Sequence, residues 1–195
     1  LKIYQNMYEE IIKHYQDFPI PGIDFIDIMP FLQNKDVFNS LIRDIDKVVD
    51  APNVVTAEAR GFLFAAPLLT VSDKVRNIIP ARKKGKLPFA KGDLKDVAIM
   101  KEYGADHVFY RLSDIAAGVP NGDCFELTFF DDILATGGTA EGIALALNKE
   151  KIVLDGKEYS VKVTGFVFLV ELASGIPGAA ERLERIAPVH SIIKL

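Results

Sequence analysis

Apolar residues recur along this chain at two spacings, and each spacing predicts a different kind of element. Apolar side chains three or four positions apart predict amphipathic helices over residues 4–15 and 35–48. Short, nearly continuous apolar runs predict buried strands over residues 53–57 and 77–81. Weaker signals of the same kinds predict further helices at 62–70 and 140–148, strands at 97–103, 107–112, 161–170 and 191–193, and a hairpin around Asp155-Gly156.

Helices and strands alternate in this reading, which predicts an α/β fold with a mostly parallel central sheet flanked by helices. In such sheets, ligands bind beyond the carboxyl ends of the strands. Residues 58–61, 82–86 and 131–139 are polar or glycine-rich, and each segment follows a predicted strand. We therefore expect all three segments to lie at the same edge of the sheet.

The composition is that of an ordinary globular protein, and it narrows the classes of function. The 195 residues are 49% hydrophobic and 26% charged, which suits one domain spanning residues 1–195. A net charge of −4 disfavours a general nucleic-acid binder. The lone Cys124 fits a reducing compartment, and we find no membrane-length apolar run and no signal-peptide pattern. These features predict a cytoplasmic protein with neither nucleic acid nor membrane as its partner.

The most informative stretch is residues 127–139, where an apolar run ends in the adjacent carboxylates Asp131 and Asp132. A loop of small, hydroxyl-bearing and glycine residues follows and leads into a predicted helix. Free backbone N–H groups, hydroxyl donors and the positive end of a helix dipole suit a phosphate monoester. Paired carboxylates suit the vicinal hydroxyls of a sugar or a hydrated divalent cation. Together these features predict a site for a phosphorylated ribose.

Neither of two common phosphate-binding motifs accounts for this stretch. The chain contains no G-x-x-x-x-G-K-[ST] and no G-x-G-x-x-G after its first strand, which excludes a Walker loop and a dinucleotide fingerprint. Residues 82–88 instead form a dense basic loop, Arg-Lys-Lys-Gly-Lys-Leu-Pro, whose glycine and proline mark it as more than a solvated charge run.

Residues 127–139 resemble the phosphoribosyl pyrophosphate (PRPP) motif of the type I phosphoribosyltransferases. Three more segments narrow the likeness, and they resemble the adenine phosphoribosyltransferases: residues 18–25, residues 58–64, and residues 82–88 with Glu102-Tyr103-Gly104 downstream. The likeness runs from about residue 18 to residue 172. It implies the type I phosphoribosyltransferase fold, with a small N-terminal hood over about residues 1–34, a core over about 35–195 and a flexible hairpin lid.

The resemblance also implies the reaction of adenine with PRPP to give AMP and pyrophosphate, in purine salvage. Magnesium is implied as the cofactor, held mainly through ligand and water, with Asp131 or Asp132 as the protein's own contact. A homodimer is implied because the basic loop of such enzymes commonly reaches into the neighbouring subunit's site. The implied roles are catalysis by Glu102 and Arg60; pyrophosphate binding by Arg60, Arg82, Lys83 and Lys86; ribose binding by Asp131 and Asp132; 5′-phosphate binding by Ala135, Thr136, Gly137, Gly138 and Thr139; and adenine binding by Ile23, Phe25 and Ile26.

Two departures from the family pattern bear on these expectations. Ile26 stands where the family usually has arginine, and the usual C-terminal Gly-Arg-x-Lys-Leu is present only loosely, within residues 178–183. Two alternative functions stay open: transfer to a 6-oxopurine such as hypoxanthine or xanthine, and PRPP sensing without catalysis. About seventeen residues precede the first motif, too few for a helix-turn-helix domain, which disfavours the sensor.

Overall fold

The fold is organised around one large sheet in a computed structural model that describes residues 7–101, 104–174 and 176–195. The strands of the described residues are β1 (Lys13–Gln16), β2 (Asp24–Asp27), β3 (Asn53–Ala57), β4 (Asn77–Lys83), β5 (Leu94–Lys101), β6 (Gly104–Arg111), β7 (Cys124–Leu134), β8 (Lys151–Leu154), β9 (Lys157–Glu171) and β10 (Val189–Lys194). Strands β1 and β2 form a separate antiparallel pair, and the other eight form the large sheet.

The middle of the large sheet is parallel, as the alternation of helices and strands predicts. Its order is β10-β9-β7-β3-β4-β6-β5, with β8 paired to β9 off this path. Strands β10, β9, β7, β3 and β4 run parallel to one another. The hairpin β5–β6 extends the sheet in the antiparallel sense from β4.

Helices cover both faces of the sheet. They are a 3₁₀ helix (Met29–Gln33) and helices α1 (Lys35–Val48), α2 (Arg60–Ala65), α3 (Leu68–Val71), α4 (Leu112–Ala116), α5 (Gly138–Leu147) and α6 (Ala179–Glu184). Neighbouring residues of β7 point to opposite faces, so Phe129 packs in one core with α5 and α6, and Phe130 packs in the other with α1 and α2. Among the described residues, no helix combines the length and the apolar character that a membrane crossing requires.

Most predicted elements are confirmed, with shifts at their ends. Helix α1 spans the predicted residues 35–48, and the Asn34 side chain caps it by accepting from the N–H groups of Asp36 and Val37. Strand β9 begins four residues before the predicted 161 because β8 pairs with its first residues in the predicted hairpin. The short helices α4 and α6 and the 3₁₀ helix have no counterpart among the predictions.

Two predicted helices are wrong in extent. In the described part of predicted helix 4–15, only residues 7–9 are helical, and residues 13–16 form β1, because pairing with β2 overrides the helical spacing of the apolar side chains. The predicted helix 62–70 is divided into α2 and α3, since Pro67 at the junction supplies no backbone N–H to continue the helix.

The N-terminal hood, residues 7–33, packs onto the face of the sheet that carries α1 and α2. Its buried side chains Tyr8, Ile28 and Phe31 belong to the same core as Phe130 of β7 and Val54 of β3. A hydrogen bond of 2.8 Å from the Tyr8 hydroxyl to the Asp44 carboxylate ties it further to α1. The hood is thereby fixed over one face of the sheet.

Candidate functional site

The site lies at the carboxyl ends of β3, β4 and β7, where the three predicted segments meet. Parallel pairing places Ala57 beside Ala81, and Thr56 beside Phe130, at the ends of these strands. The chain leaving β3 stays in contact with β4, because the Glu58 N–H donates to the Ala81 carbonyl at 2.9 Å. The expectation that these segments share one edge of the sheet is confirmed.

The loop between β7 and α5 forms a small polar cavity. Gly137 precedes α5 with a φ of +76°, a left-handed conformation that glycine adopts without a steric cost. Gly137 has no side chain to cap the helix. The Gly138 N–H donates to the Thr136 hydroxyl at 3.5 Å, and the next N–H groups of α5 are available to a ligand. A cavity of about 110 Å³ is lined by all five predicted phosphate-binding residues: Ala135, Thr136, Gly137, Gly138 and Thr139.

The two adjacent carboxylates divide between different surroundings because they lie at neighbouring positions of a strand. Asp131 lines the same cavity as the loop and also approaches Gly61 of α2, whereas Asp132 faces the Arg60 side chain. The Asp132 Oδ2 atom lies 2.7 Å from Arg60 Nε, a close ion pair without hydrogen-bond geometry. The structure thus assigns Asp131 to the cavity and Asp132 to the arginine.

Gly61 is what allows Asp131 to sit against α2. A Cβ atom at position 61 would lie 2.6 Å from Thr56 Oγ1 and 3.0 Å from Asp131 Oδ1, both closer than ordinary contact. Glycine is therefore required by the close approach of α2 to the strand ends.

Burial makes the Asp131 carboxyl an unusual acid. Loss of solvent raises its pKa well above the ordinary value, and the neighbouring Asp132 charge adds to that rise. The Arg60 charge opposes the rise in the Asp131 pKa, but less strongly. A cationic ligand beside this pair would relieve the repulsion.

Arg60 connects the carboxylates to the hood. Its guanidinium carbon lies 5.6 Å from the centre of the Phe25 ring, in cation–π contact, while its Nε faces Asp132. The family resemblance implies that Arg60 is a pyrophosphate-binding and catalytic residue. In this structure its partners are instead the Asp132 carboxylate and the Phe25 ring of the hood.

The basic segment extends from the end of β4 into a turn. Arg82 Nε donates to Glu58 Oε2 at 2.7 Å, and the Arg82 guanidinium lies 5.9 Å from the centre of the Phe62 ring. Although burial alone would raise it, the pKa of Glu58 is lowered by its hydrogen bond with Arg82. Arg82 is thus oriented from two sides.

A second cavity, of about 320 Å³, lies between this basic segment and the β5–β6 hairpin. Arg82, Lys83 and Lys84 line it together with Thr139 at the start of α5. Lys86 is exposed in the turn that follows, and its carbonyl accepts a hydrogen bond from Arg82. Lys84 and Glu58 are lining residues to which the sequence analysis gave no role, although both lie inside segments that it singled out.

A third cavity, of about 200 Å³ and mostly apolar, opens in the hood between Tyr15, Phe18, Phe25 and Asp27. The rings of Phe18 and Phe25 meet edge to face, with centroids 5.2 Å apart. Ile23, which is predicted to contact a base, lies two residues before Phe25, and its side chain is 44% exposed.

Ile26 has a different place from Phe25, its neighbour on β2. Its side chain is 6% exposed and packs in the hood core with Tyr8 and Phe31. The side chain that replaces the family's usual arginine is therefore a core residue, and contact with a base would fall to the backbone of β2.

Two further expectations concern Glu102 and a metal. Glu102 lies outside the described residues, between Lys101 of β5 and Gly104 of β6. In the ranges that the structure describes, no group of three or more His, Cys, Asp or Glu side chains is placed to hold a metal ion.

Arg182 of α6 is a site neighbour that the sequence analysis passed over. Its Nη2 donates to the Thr136 carbonyl of the β7–α5 loop, and its Nε lies 3.2 Å from Glu141 Oε2 in the first turn of α5. The only sequence signal was the loose C-terminal motif, in which Arg182 falls one position before the buried Leu183.

Comparison with known proteins identifies relatives by sequence and by structure, although not by family model. A search against family models found no match. The adenine phosphoribosyltransferase of Ruminiclostridium cellulolyticum is 36% identical over 167 residues, covering 84% of this chain and 86% of that protein. The crystal structure of the Thermoanaerobacter pseudethanolicus enzyme superposes with a TM-score of 0.78 at 29% identity, covering 98% and 99% of the two chains.

A further structural neighbour carries ligands. The adenine phosphoribosyltransferase of Saccharomyces cerevisiae, solved with adenine and an imino-altritol bisphosphate, matches with a TM-score of 0.74 at 27% identity over 98% of this chain and 99% of that one. With the fold, the order of motifs and relatives above 30% identity in agreement, this chain belongs to the adenine phosphoribosyltransferase family.

Proposed function

We propose that this protein transfers the 5-phosphoribosyl group from PRPP to adenine, giving AMP and pyrophosphate in purine salvage. The observation that carries the proposal is the meeting, at one sheet edge, of a glycine-rich loop, the adjacent carboxylates Asp131 and Asp132, and a basic strand end. The two polar cavities suit the 5′-phosphate and the pyrophosphate of PRPP. The apolar hood cavity next to Arg60 suits a purine ring.

The charges of the site match those that develop during transfer. As the bond from ribose C1 to pyrophosphate breaks, negative charge grows on the leaving group and positive charge grows on the sugar. Arg82 and Lys83 line the cavity beside the phosphate loop, where they would stabilise the leaving pyrophosphate. The pair with Glu58 holds the Arg82 side chain in place before the substrate arrives.

Asp131 and Asp132 would hold the ribose between these two anion sites. Asp131, which lines the phosphate cavity, is our candidate for the ribose hydroxyls. Asp132 is held by Arg60, so a pyrophosphate oxygen that attracts Arg60 would release Asp132 toward the sugar. This exchange reconciles the predicted role of Arg60 with its observed partner.

The carboxylate pair also fits a magnesium ion bound chiefly through the substrate. Mg²⁺ commonly uses one or two carboxylates, several waters and substrate phosphates as its ligands. Asp131 and Asp132 supply such a pair, and a cation between them would offset the Asp132 charge that adds to the rise in the Asp131 pKa. Bound there, the ion would neutralise pyrophosphate charge.

The base would occupy the hood cavity, with the Phe25 ring against it and Ile23 at its rim. Backbone groups near Ile26 would read the edge of adenine, since the Ile26 side chain is buried. We keep Glu102 as the proposed carboxylate that manages the proton on the imidazole part of the purine.

Turnover measurements with PRPP and each of several bases test the proposed function. We expect release of pyrophosphate with adenine and a much lower kcat/KM with hypoxanthine, xanthine and guanine. Turnover with hypoxanthine but not adenine would contradict the proposed base. Tight binding of PRPP without pyrophosphate release for any base would indicate a sensor instead.

A cytoplasmic homodimer is part of the same proposal. Leu63, Leu69 and Val71 expose apolar side chains on the α2–α3 segment that follows Arg60, and a second subunit there would bury them. Sedimentation equilibrium should therefore give twice the mass of the chain. Replacing Leu63 and Leu69 together with glutamate should produce monomers, and a monomeric wild-type protein would contradict the dimer.

Gly61→Ala should damage the site more than the fold. The added methyl group must displace Thr56 or Asp131, so we expect kcat/KM for PRPP to fall by about tenfold or more. Gly118→Ala is the matched control, because its Cβ would lie 2.1 Å from Asn53 Oδ1, a residue at the opposite end of β3. That variant should lose thermal stability while keeping the wild-type KM for PRPP. Wild-type kinetics in Gly61→Ala would show that activity does not depend on the observed position of Asp131.

Asp131→Asn should stabilise the ligand-free protein near neutral pH while lowering its activity. Because the folded-state pKa of Asp131 is raised, the ionised carboxylate disfavours folding once the pH exceeds its ordinary pKa of 3.8. The gain in the free energy of unfolding should therefore vanish at pH values below 3.8.

Thermal melts across pH measure this effect, since 1 kcal/mol shifts Tm by ~2–4 °C for a protein of this size. Asp132→Asn is the comparison: it removes a charge that raises the Asp131 pKa but also the partner of Arg60, so its stabilisation should be smaller. A lower Tm for Asp131→Asn at neutral pH would count against a strained carboxylate at position 131.

A further inference from the structure

Helix α6 supports the phosphate loop from the side of the core that it shares with α5. A Cβ atom added to Gly137 would lie 3.3 Å from Leu134 Cδ1, 3.4 Å from Arg182 Nη2 and 3.5 Å from Leu183 Cδ1. Leu183 is fully buried in the core that contains α5. The loop is therefore packed directly against α6, and Arg182 is the polar part of that contact.

The hydrogen bond from Arg182 has a directional consequence for the loop. Arg182 Nη2 donates to the Thr136 carbonyl oxygen. In a planar trans peptide, the carbonyl and the following N–H point to opposite sides. Holding the Thr136 carbonyl toward α6 therefore turns the Gly137 N–H away from α6, where it is available to an anion.

The same guanidinium also offsets the negative charge of Glu141. Glu141 lies in the first turn of α5, close to where the proposed function places a phosphate dianion. An unpaired carboxylate there would repel the phosphate. Arg182 Nε lies 3.2 Å from Glu141 Oε2, so the cation offsets this charge while it holds the loop.

We propose that Arg182 is a positioning residue for the 5′-phosphate of the substrate. It keeps the Thr136 carbonyl out of the phosphate cavity and neutralises Glu141, without itself contacting the reacting atoms. The inference rests on the proposed function in one respect, that the cavity between β7 and α5 takes a phosphate monoester.

The first test is Arg182→Gln, measured by calorimetric binding of ribose 5-phosphate and by steady-state kinetics. We expect the Kd for ribose 5-phosphate and the KM for PRPP to rise by about tenfold or more. The KM for adenine should stay near the wild-type value, and kcat should change by less than about twofold, because only substrate positioning is affected. Arg185→Gln removes the same charge from an exposed position just beyond α6 and should behave as wild type.

Two more variants separate this role from simple support of the fold. Glu141→Gln in the Arg182→Gln background should recover part of the lost affinity for ribose 5-phosphate, since it removes the unneutralised charge. Arg182→Lys keeps one charge but cannot reach both Thr136 and Glu141 as a fork, so it should lie between wild type and Arg182→Gln. Should Arg182→Gln fail to fold, Arg182→Lys carries the same comparison.

The outcomes distinguish this inference from the proposed function. If wild type transfers to adenine but Arg182→Gln and Arg182→Lys keep its Kd for ribose 5-phosphate, the positioning role is overturned and the function stands. If Arg182→Gln and Arg185→Gln lose affinity equally, the effect is one of general charge, and the role is again overturned. If wild type binds ribose 5-phosphate but transfers to no purine, the function fails, and the comparison of Kd values still decides the role of Arg182. If wild type binds neither ribose 5-phosphate nor PRPP, both are wrong.

Discussion

The alternation of side chains along β7 is the constraint on which the rest of this site depends. Phe129 and Phe130 anchor the strand in the cores on its two faces. The two carboxylates follow directly, so Asp131 lines the cavity of the β7–α5 loop beside Gly61, and Asp132 faces Arg60. A shift of one residue in the register would exchange the two phenylalanines between the cores and displace both carboxylates, which ties the geometry of the site to the packing of the cores.

The adjacent acids at the end of β7 lower the stability of the ligand-free fold in a way that a bound cation would offset. A strand buried on both faces ends in two adjacent acids, and burial with mutual repulsion raises the pKa of Asp131. The protein compensates only partly, through the ion pair of Asp132 with Arg60. A site that already places excess negative charge beside a cavity favours a substrate that brings a cation, and it gains least from a neutral sugar alone.

The sequence predicted what depends on local chemistry. The parallel edge, helix α1 and the glycine-rich loop follow from spacing and residue type, and the structure contains each of them. The sequence alone could not show that Asp132 pairs with Arg60, because these residues are 72 positions apart and are brought together only by the order of the strands. The pairing of residues 13–16 with β2 was not predicted for the same reason, since helical spacing of apolar side chains carries no information about a partner strand.

In the proposed function, Arg60 and Arg182 would serve one substrate in two different ways. Arg60 lies between the Asp132 carboxylate and the Phe25 ring, so its release from Asp132 would change the contacts of both the sugar and the hood. Arg182 has a backbone carbonyl and Glu141 as its partners, neither of which the proposed reaction needs to free. An arginine whose partners are also substrate ligands can respond to binding, whereas one bound to the scaffold preserves the geometry to which the substrate binds. The site therefore combines one arginine suited to exchange with one suited to support, and the difference follows from their partners rather than from their charge.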